Sequence, residues 1–224
     1  MRGQINIGST LGNFIYNACK LSNIVNIVEI GTWNGQGSTY CIYKAIMDSS
    51  KTNYNVFSLE IDLSKYSEAK LLYDAFNIPN FYLVYGRIVE INEIFSNLEE
   101  VEDKFFKEYS LAQQKEWLQK DMLNMSNVEN ILYLLPKQVD LLILDGGEYS
   151  TYAEFHKLKD RVGIFVLDDS NNIKGYKIKQ EVHKDHTKYT ILIDEPTERN
   201  GIIVFINNTV ISKDLLTVLN KIIV

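Results

Sequence analysis

Residues 28–39 read VEIGTWNGQGST. The run before and into them, NIVNIVEI at residues 23–30, is β-branched and apolar, and it closes on Glu29 and Ile30. Glycines follow at Gly31, Gly35 and Gly37, and Ser38 and Thr39 then open a helix predicted over 38–47. A buried strand that turns through glycines into a helix start lets a ligand approach the backbone, and the first N–H groups of that helix have no partner within it. Two familiar phosphate loops are excluded by spacing. A G-x-G-x-x-G loop would need glycine at Trp33, and a P-loop starting at Gly31 would need glycine at Gln36 followed by lysine.

Outward from this turn the pattern is regular. Residues 10–21 place Leu11, Phe14, Ile15, Ala18 and Cys19 on one helical face. Strands at 55–61 and 81–85, with a helix at 64–76 between them, continue a βαβαβ rhythm that predicts a parallel sheet. Between 91 and 135 the rhythm lapses into charged, aromatic stretches, LEEVEDKFFKEY and QQKEWLQKDM, which read as a helical insertion and a substrate lid. Within it, Glu99, Glu100, Glu102 and Asp103 read as a wet helix face. Trp117 reads as core, lid or dimer contact, which leaves a homo-oligomer open. The sheet resumes with VDLLILD at 139–145, a helix from 151, GIFVLDD at 163–169 and a helix at 174–182. YTILID and GIIVFI flank EPTERN, whose Pro and Asn-Gly favour a reversal and an antiparallel pair, and a helix at 213–223 follows. The expected fold is one α/β domain over 1–224. It is Rossmann-like and doubly wound, with a mostly parallel seven-stranded sheet, an antiparallel last strand, and the insertion between strands three and four.

Composition narrows the partners. In 224 residues, 46% hydrophobic and 23% charged, a packed core is expected and disorder is not. A net charge of -6 argues against neutralising nucleic-acid phosphates. Apolar runs end at aspartates after a few residues, too short to span a bilayer, and the start MRGQINIGSTLGNF lacks the apolar run of a signal peptide. Cys19 and Cys41, without CxxC or zinc spacing, fit a reducing compartment, the cytoplasm by default. A local basic patch stays open.

Carboxylates at strand ends supply the next signals. SLEID places Glu60 at the carboxyl edge, where an acidic residue accepts ribose hydroxyls in such folds, and VYGRI places Gly86 and Arg87 near an adenine. LLILDGGE and IFVLDDS bring Asp145, Asp168 and Asp169 to the same edge, where three carboxylates need a counter-charge. A hard cation such as Mg²⁺ would supply it, with Ser170 or Asn171 completing the shell. The alternative has Asp145 on a loop or ligand amine and the other two capping a helix. Tyr149 and Tyr152 are conceivable stacking surfaces. His156, His183 and His186 read as solvated.

Across about residues 24–169 the order EIGTWNG, LEID, LDGGE and VLDD resembles the class I S-adenosylmethionine (SAM) dependent methyltransferases, above all the macrocin O-methyltransferase-like group of sugar-methylating enzymes. The resemblance implies SAM held by Glu29, Gly31, Thr32, Trp33, Gly35, Gly37, Ser38, Thr39, Glu60, Gly86, Arg87 and Asp145, with Glu29 beside the cofactor's cationic end. It also implies Mg²⁺ on Asp145, Asp168 and Asp169 orienting hydroxyls of a small-molecule acceptor, a carbohydrate in that group. The loop carries one residue more before Ser38 and Thr39 than the group's pattern, and Glu148 stands where the group often has histidine. Methyl transfer needs alignment and help with a proton, so Glu148 as base beside Asp145 is one mechanism, and Glu148 as metal ligand or surface residue are others. A silent SAM-binding or assembly protein and a dinucleotide-dependent oxidoreductase are the competing functions. On this reading a bulky residue at Gly31 abolishes ligand binding with the fold retained, and Mg²⁺ raises the melting temperature.

Overall fold

The computed structural model describes residues 5–94 and 110–222. Seven strands form one sheet: β1 (Asn26–Ile30), β2 (Asn55–Glu60), β3 (Phe81–Tyr85), β4 (Val139–Leu144), β5 (Val162–Asp168), β6 (Tyr189–Glu195) and β7 (Ile202–Asn207). Their order is β3-β2-β1-β4-β5-β7-β6. The pairs among β3, β2, β1, β4 and β5 are parallel, and β7 runs antiparallel between β5 and β6. This is the expected mixed sheet, with EPTERN making the expected reversal.

Alternation along the central strands sorts the core into two layers, because successive strand side chains point to opposite faces. Leu142 and Leu144 of β4 and Phe165 and Leu167 of β5 pack with Phe155 of α5 (Thr151–Leu158) and with Ile178 and Val182 of α6 (Tyr176–Lys184). Leu141, Ile143, Ile164 and Val166 face the opposite way. They pack with Phe14 and Ile15 of α1 (Thr10–Lys20), Ile42 and Ile46 of α2 (Ser38–Ser49), and Leu219 of α7 (Lys213–Ile222). With β5 buried at every position, the strand reads as one apolar run. Stacked and edge-on contacts among Phe155, Phe165, Tyr189 and Phe205 fill the first layer.

The edge that matters is set by strand order. After β1 the chain crosses to β2 on one side, while β4 lies on the other, so the loops leaving β1 and β4 diverge and open a crevice at their carboxyl ends. α3 (Leu63–Asp74) borders it, started by Asp62, whose side chain accepts from the N–H groups of Ser64 and Lys65. α4 (Leu111–Ser126), opened by a Ser110–Gln113 capping box, is the described helix of the expected insertion. The acidic run at 99–103 lies outside the described residues. Among the described residues no helix is long and apolar enough to cross a membrane.

Candidate active site

The glycine turn is shaped by its neighbours. Gly31 has φ +99°, and a Cβ there would stand 2.2 Å from the Asp145 carbonyl oxygen. The two diverging loops therefore touch at this glycine, so a side chain would break the contact between them before it blocked any ligand. The expectation that a bulky residue spares the fold is corrected by this contact. Gly35, at φ +77°, lies under the Tyr73 ring, whose hydroxyl donates to the Gly35 carbonyl at 2.7 Å and seats α3 on the turn. Trp33 adopts φ +51°, a conformation uncommon outside glycine, and its half-exposed ring lies 4.8 Å from Lys65 Nζ.

Glu29 is fully buried beneath this turn. Its carboxylate accepts from Thr39 Oγ1 at 2.7 Å and from Ser58 Oγ, tying β1 to the first turn of α2 and to β2. Burial pushes its carboxyl up to about 7, against the hydrogen bonds of Ser38, Ser58 and Thr39. Of the twelve residues expected to hold the cofactor, Glu29, Gly35 and Thr39 lie behind the cleft, whereas Gly31, Thr32, Trp33, Gly37, Ser38, Glu60, Gly86, Arg87 and Asp145 line it. The cleft encloses about 410 Å³, within the usual range for small-molecule sites.

Glu60 closes β2 at the cleft wall. Its Oε2 accepts the Trp33 N–H at 2.7 Å, and its Oε1 accepts those of Ile61 and Asp62 at 2.9 Å each. Three backbone donors fix the carboxylate, and the second acceptor position of Oε2 remains for a ligand hydroxyl. Burial raises this carboxyl. Arg87, expected near an adenine, lines the cleft while its guanidinium is spent on structure. Nε donates to the carbonyls of Met125 and Val128, and Nη1 to that of Val89 and to Glu90 Oε2 at 2.6 Å, which fastens the end of α4 to the β3 loop.

Asp145, Asp168 and Asp169 do converge, offering oxygens within 4.8 Å of one another. Their counter-charge comes from the chain itself. Lys174 Nζ donates to Asp145 Oδ1 at 2.8 Å and Asp169 Oδ2 at 3.3 Å, Arg199 Nη1 lies 2.5 Å from Asp168 Oδ2, and Asn200 Nδ2 donates to Asp169 Oδ1 at 3.0 Å. Burial works against the Lys174 charge, but Asp145, Asp169, Asp168 and Glu148 outweigh it and hold the ammonium well above its ordinary pKa. Asp168, wholly buried, is pushed up to about 7 by burial and by Asp145. A divalent cation does not fit this donor set, because an ammonium already bridges Asp145 and Asp169, both oxygens of Asp169 are engaged, and a guanidinium stands on Asp168. Lys174, Arg199 and Asn200 carry no motif signal. Lys174 sits in a polar turn and the other two in a hairpin tip, and only the fold brings them to the aspartates.

Glu148 is half-buried, does not line the cleft, and is pushed up to about 7 by burial. Besides Glu60, Asp62, Asp145 and Asp169, two more carboxyls line it. Asp121 on α4 is pushed up to about 6 by burial, and Glu154 on α5, wholly buried with Oε2 lacking a partner among the described residues, is pushed up to about 7. Asp121 went unread because the helix carrying it shows no strand-end pattern. Tyr149 is buried, with its hydroxyl donating to the Gln114 carbonyl at 2.8 Å, so it seats α4 and offers no stacking face. Tyr152 donates to Glu181. His156 and His183 pair with Glu181 and Asp194 at 2.9 Å each.

No protein-family model matches the chain, and no curated protein matches it in sequence. Solved structures do match in shape. An O-methyltransferase of Bacillus cereus in complex with S-adenosylhomocysteine (SAH) is 16% identical with a TM-score of 0.54, covering 92% of this chain and 84% of its own. A SAH-bound methyltransferase of Podospora anserina is 14% identical with a TM-score of 0.56, covering 88% and 77%. The O-methyltransferase TomG of Streptomyces achromogenes, in complex with SAM, is 13% identical with a TM-score of 0.55, covering 88% and 78%. The chain shares the Rossmann-like methyltransferase fold of these proteins.

Proposed function

We propose that the chain transfers a methyl group from SAM to a hydroxyl of a small-molecule acceptor. The observation that carries this reading is the charge of the cleft at the β1/β4 crevice. Glu60, Asp62, Asp121, Asp145, Glu154 and Asp169 line it, against Arg87, Lys120 and Arg199. Lys120 pairs with Asp62 and the buried Lys174 with Asp145 and Asp169, while Arg87 and Arg199 are held by Glu90 and Asp168, so carboxyls still outnumber cations around the cleft. Such a wall suits a cationic sulfonium and repels a pyrophosphate, which counts against a dinucleotide-dependent oxidoreductase. The shared methyltransferase fold supports the same choice.

Thr32, Trp33, Gly37 and Ser38 would hold one side of SAM, Glu60 its ribose hydroxyls, and Gly86 with Ile88 the far end. When bound, SAM supplies an electrophilic methyl group on a sulfonium that is already a good leaving group. The chain's own part is to align the acceptor and to take its proton. Asp145 presents its carboxylate to the acceptor hydroxyls from the sheet edge, and α4, which brings Lys120, Asp121 and Asn124 to the cleft, would serve as a lid. Asp121, poised near 6 and facing the cleft, takes the proton. The base role first read for Glu148 suits Asp121 better, because Glu148 lies off the cleft. A sugar acceptor follows only from the resemblance to the macrocin group. Magnesium has no part in this scheme, for the reason its ligands are already spoken for. SAH release from SAM, measured over a panel of sugars, catechols and other hydroxyl compounds in EDTA, tests the function: release with at least one acceptor is expected, and binding of SAM without release under any condition would make the chain a silent binder.

A further inference from the structure

The aspartate centre has its own cation, and the chain around Lys174 is built to deliver it. The Lys174 N–H donates to Asn172 Oδ1 at 3.0 Å, holding a turn that doubles back under β5. At Gly175 a Cβ would stand 2.6 Å from Ser170 Cα and 2.9 Å from the Asp169 carbonyl oxygen, so only glycine lets the turn close this tightly. Asp169 itself adopts φ +55°, a left-handed conformation that costs energy in a non-glycine residue. From above, the β6–β7 hairpin docks on the same loop. Ser170 and Asn171 donate to the carbonyls of Gly201 and Asn200 at 2.8 and 2.9 Å, and this seats Arg199 and Asn200 on Asp168 and Asp169.

We infer that Lys174 replaces a divalent cation at the centre of Asp145, Asp168 and Asp169, which makes this a metal-free site and Lys174 the residue that positions the two aspartates facing the cleft. Three carboxyls meet two cations there, the Lys174 ammonium against Asp145 and Asp169 and the Arg199 guanidinium against Asp168. The Lys174 side chain is only 3% exposed and sits below the cleft floor, so it acts on the acceptor through Asp145 and Asp169. A divalent ion entering there would stand beside a buried ammonium. Compared with a metal, a lysine holds its carboxylates by directed N–H bonds and leaves Asp145 Oδ2 as an acceptor for a hydroxyl hydrogen. The role of these aspartates toward an acceptor rests on the methyl-transfer reading, whereas the cation exchange itself does not.

The test therefore reads metal binding separately from SAM binding. The full chain is melted in EDTA and then in millimolar MgCl₂, MnCl₂ or CaCl₂, with NaCl at matched ionic strength as control, and SAM is titrated in both states. Wild type is expected to show less than about one degree of cation-dependent shift and the same SAM affinity with and without EDTA. Lys174→Met is expected to melt lower in EDTA and to recover several degrees on adding Mg²⁺, a rescue that a lysine serving only to pack would not show. Lys174→Arg, which keeps the charge, is expected to stay insensitive to Mg²⁺. A cation-dependent rise of several degrees in wild type would overturn the inference, as would a folded Lys174→Met with no response to any of the three cations. Should Lys174→Met not fold, the wild-type and Lys174→Arg melts decide it alone. Absence of SAM binding with this cation pattern intact would count against the function and not against the lysine.

Discussion

Thr39 Oγ1 donates to Glu29 Oε2 at 2.7 Å, and this bond holds the acid of β1 under the glycine turn instead of in the cleft. Glu29 keeps its proton in the fold up to about 7, whereas in the unfolded chain it ionises near the ordinary 4.5, and Glu154 behaves alike. Folding stability from these groups is therefore complete below about 4.5 and is lost as pH rises through about 7. A shift of this size corresponds to about 3 kcal/mol per group at most. The melting temperature is expected to fall between pH 5 and pH 8, and Glu29→Gln to flatten that fall. A wild-type curve that stays level or rises over this range would contradict the placement.

Gly31→Ala is expected to cost stability outright. Its Cβ meets the Asp145 backbone, which cannot move without shifting β4, and the φ of +99° adds strain. A loss of about 2 kcal/mol or more in urea denaturation is expected. A variant as stable as wild type would show that the two loops do not meet there.

Arg87→Met keeps the apolar stem and removes the bonds to Met125, Val128 and Val89. Amides at the end of α4 are then expected to exchange with deuterium at least tenfold faster, with β1 and β4 unchanged. Equal protection across all elements would mean that Arg87 does not fasten the helix.

Asp121→Asn is expected to lower kcat for an accepted hydroxyl compound by roughly 100-fold, the usual scale for losing a general base, with SAM affinity within about threefold. The pH profile of wild-type kcat/KM should rise with an apparent pKa near 6, since Asp121 must be ionised to take a proton. Unchanged turnover in Asp121→Asn, with Glu148→Gln inactive, would return the base to Glu148.

Strand order and the crevice were legible because each clue was local: β-branched runs, glycine punctuation and acids at strand ends such as Glu60 and Asp145. The three aspartates were likewise legible as a group, since parallel strands must end at one edge. What they meet there was not. Lys174 and Arg199 reach Asp145 and Asp168 across 29 and 31 positions of chain through turns with no periodicity, so a missing counter-charge read from sequence looked like a metal. Glu29 was placed at the right edge but given a ligand role, because sequence position cannot tell a side chain that faces the cleft from one that anchors its wall; Arg87 does line the cleft, and only the fold shows what its guanidinium holds. Asp121 sits on a helix whose approach to the sheet is a tertiary fact.

Calorimetric titration with SAM and SAH tests the central claim most directly. Saturable binding of both is expected, weakened at least tenfold by Glu60→Ala and unaffected by EDTA, with no heat from NAD. Binding of NAD with none of SAM or SAH at millimolar concentration would contradict it.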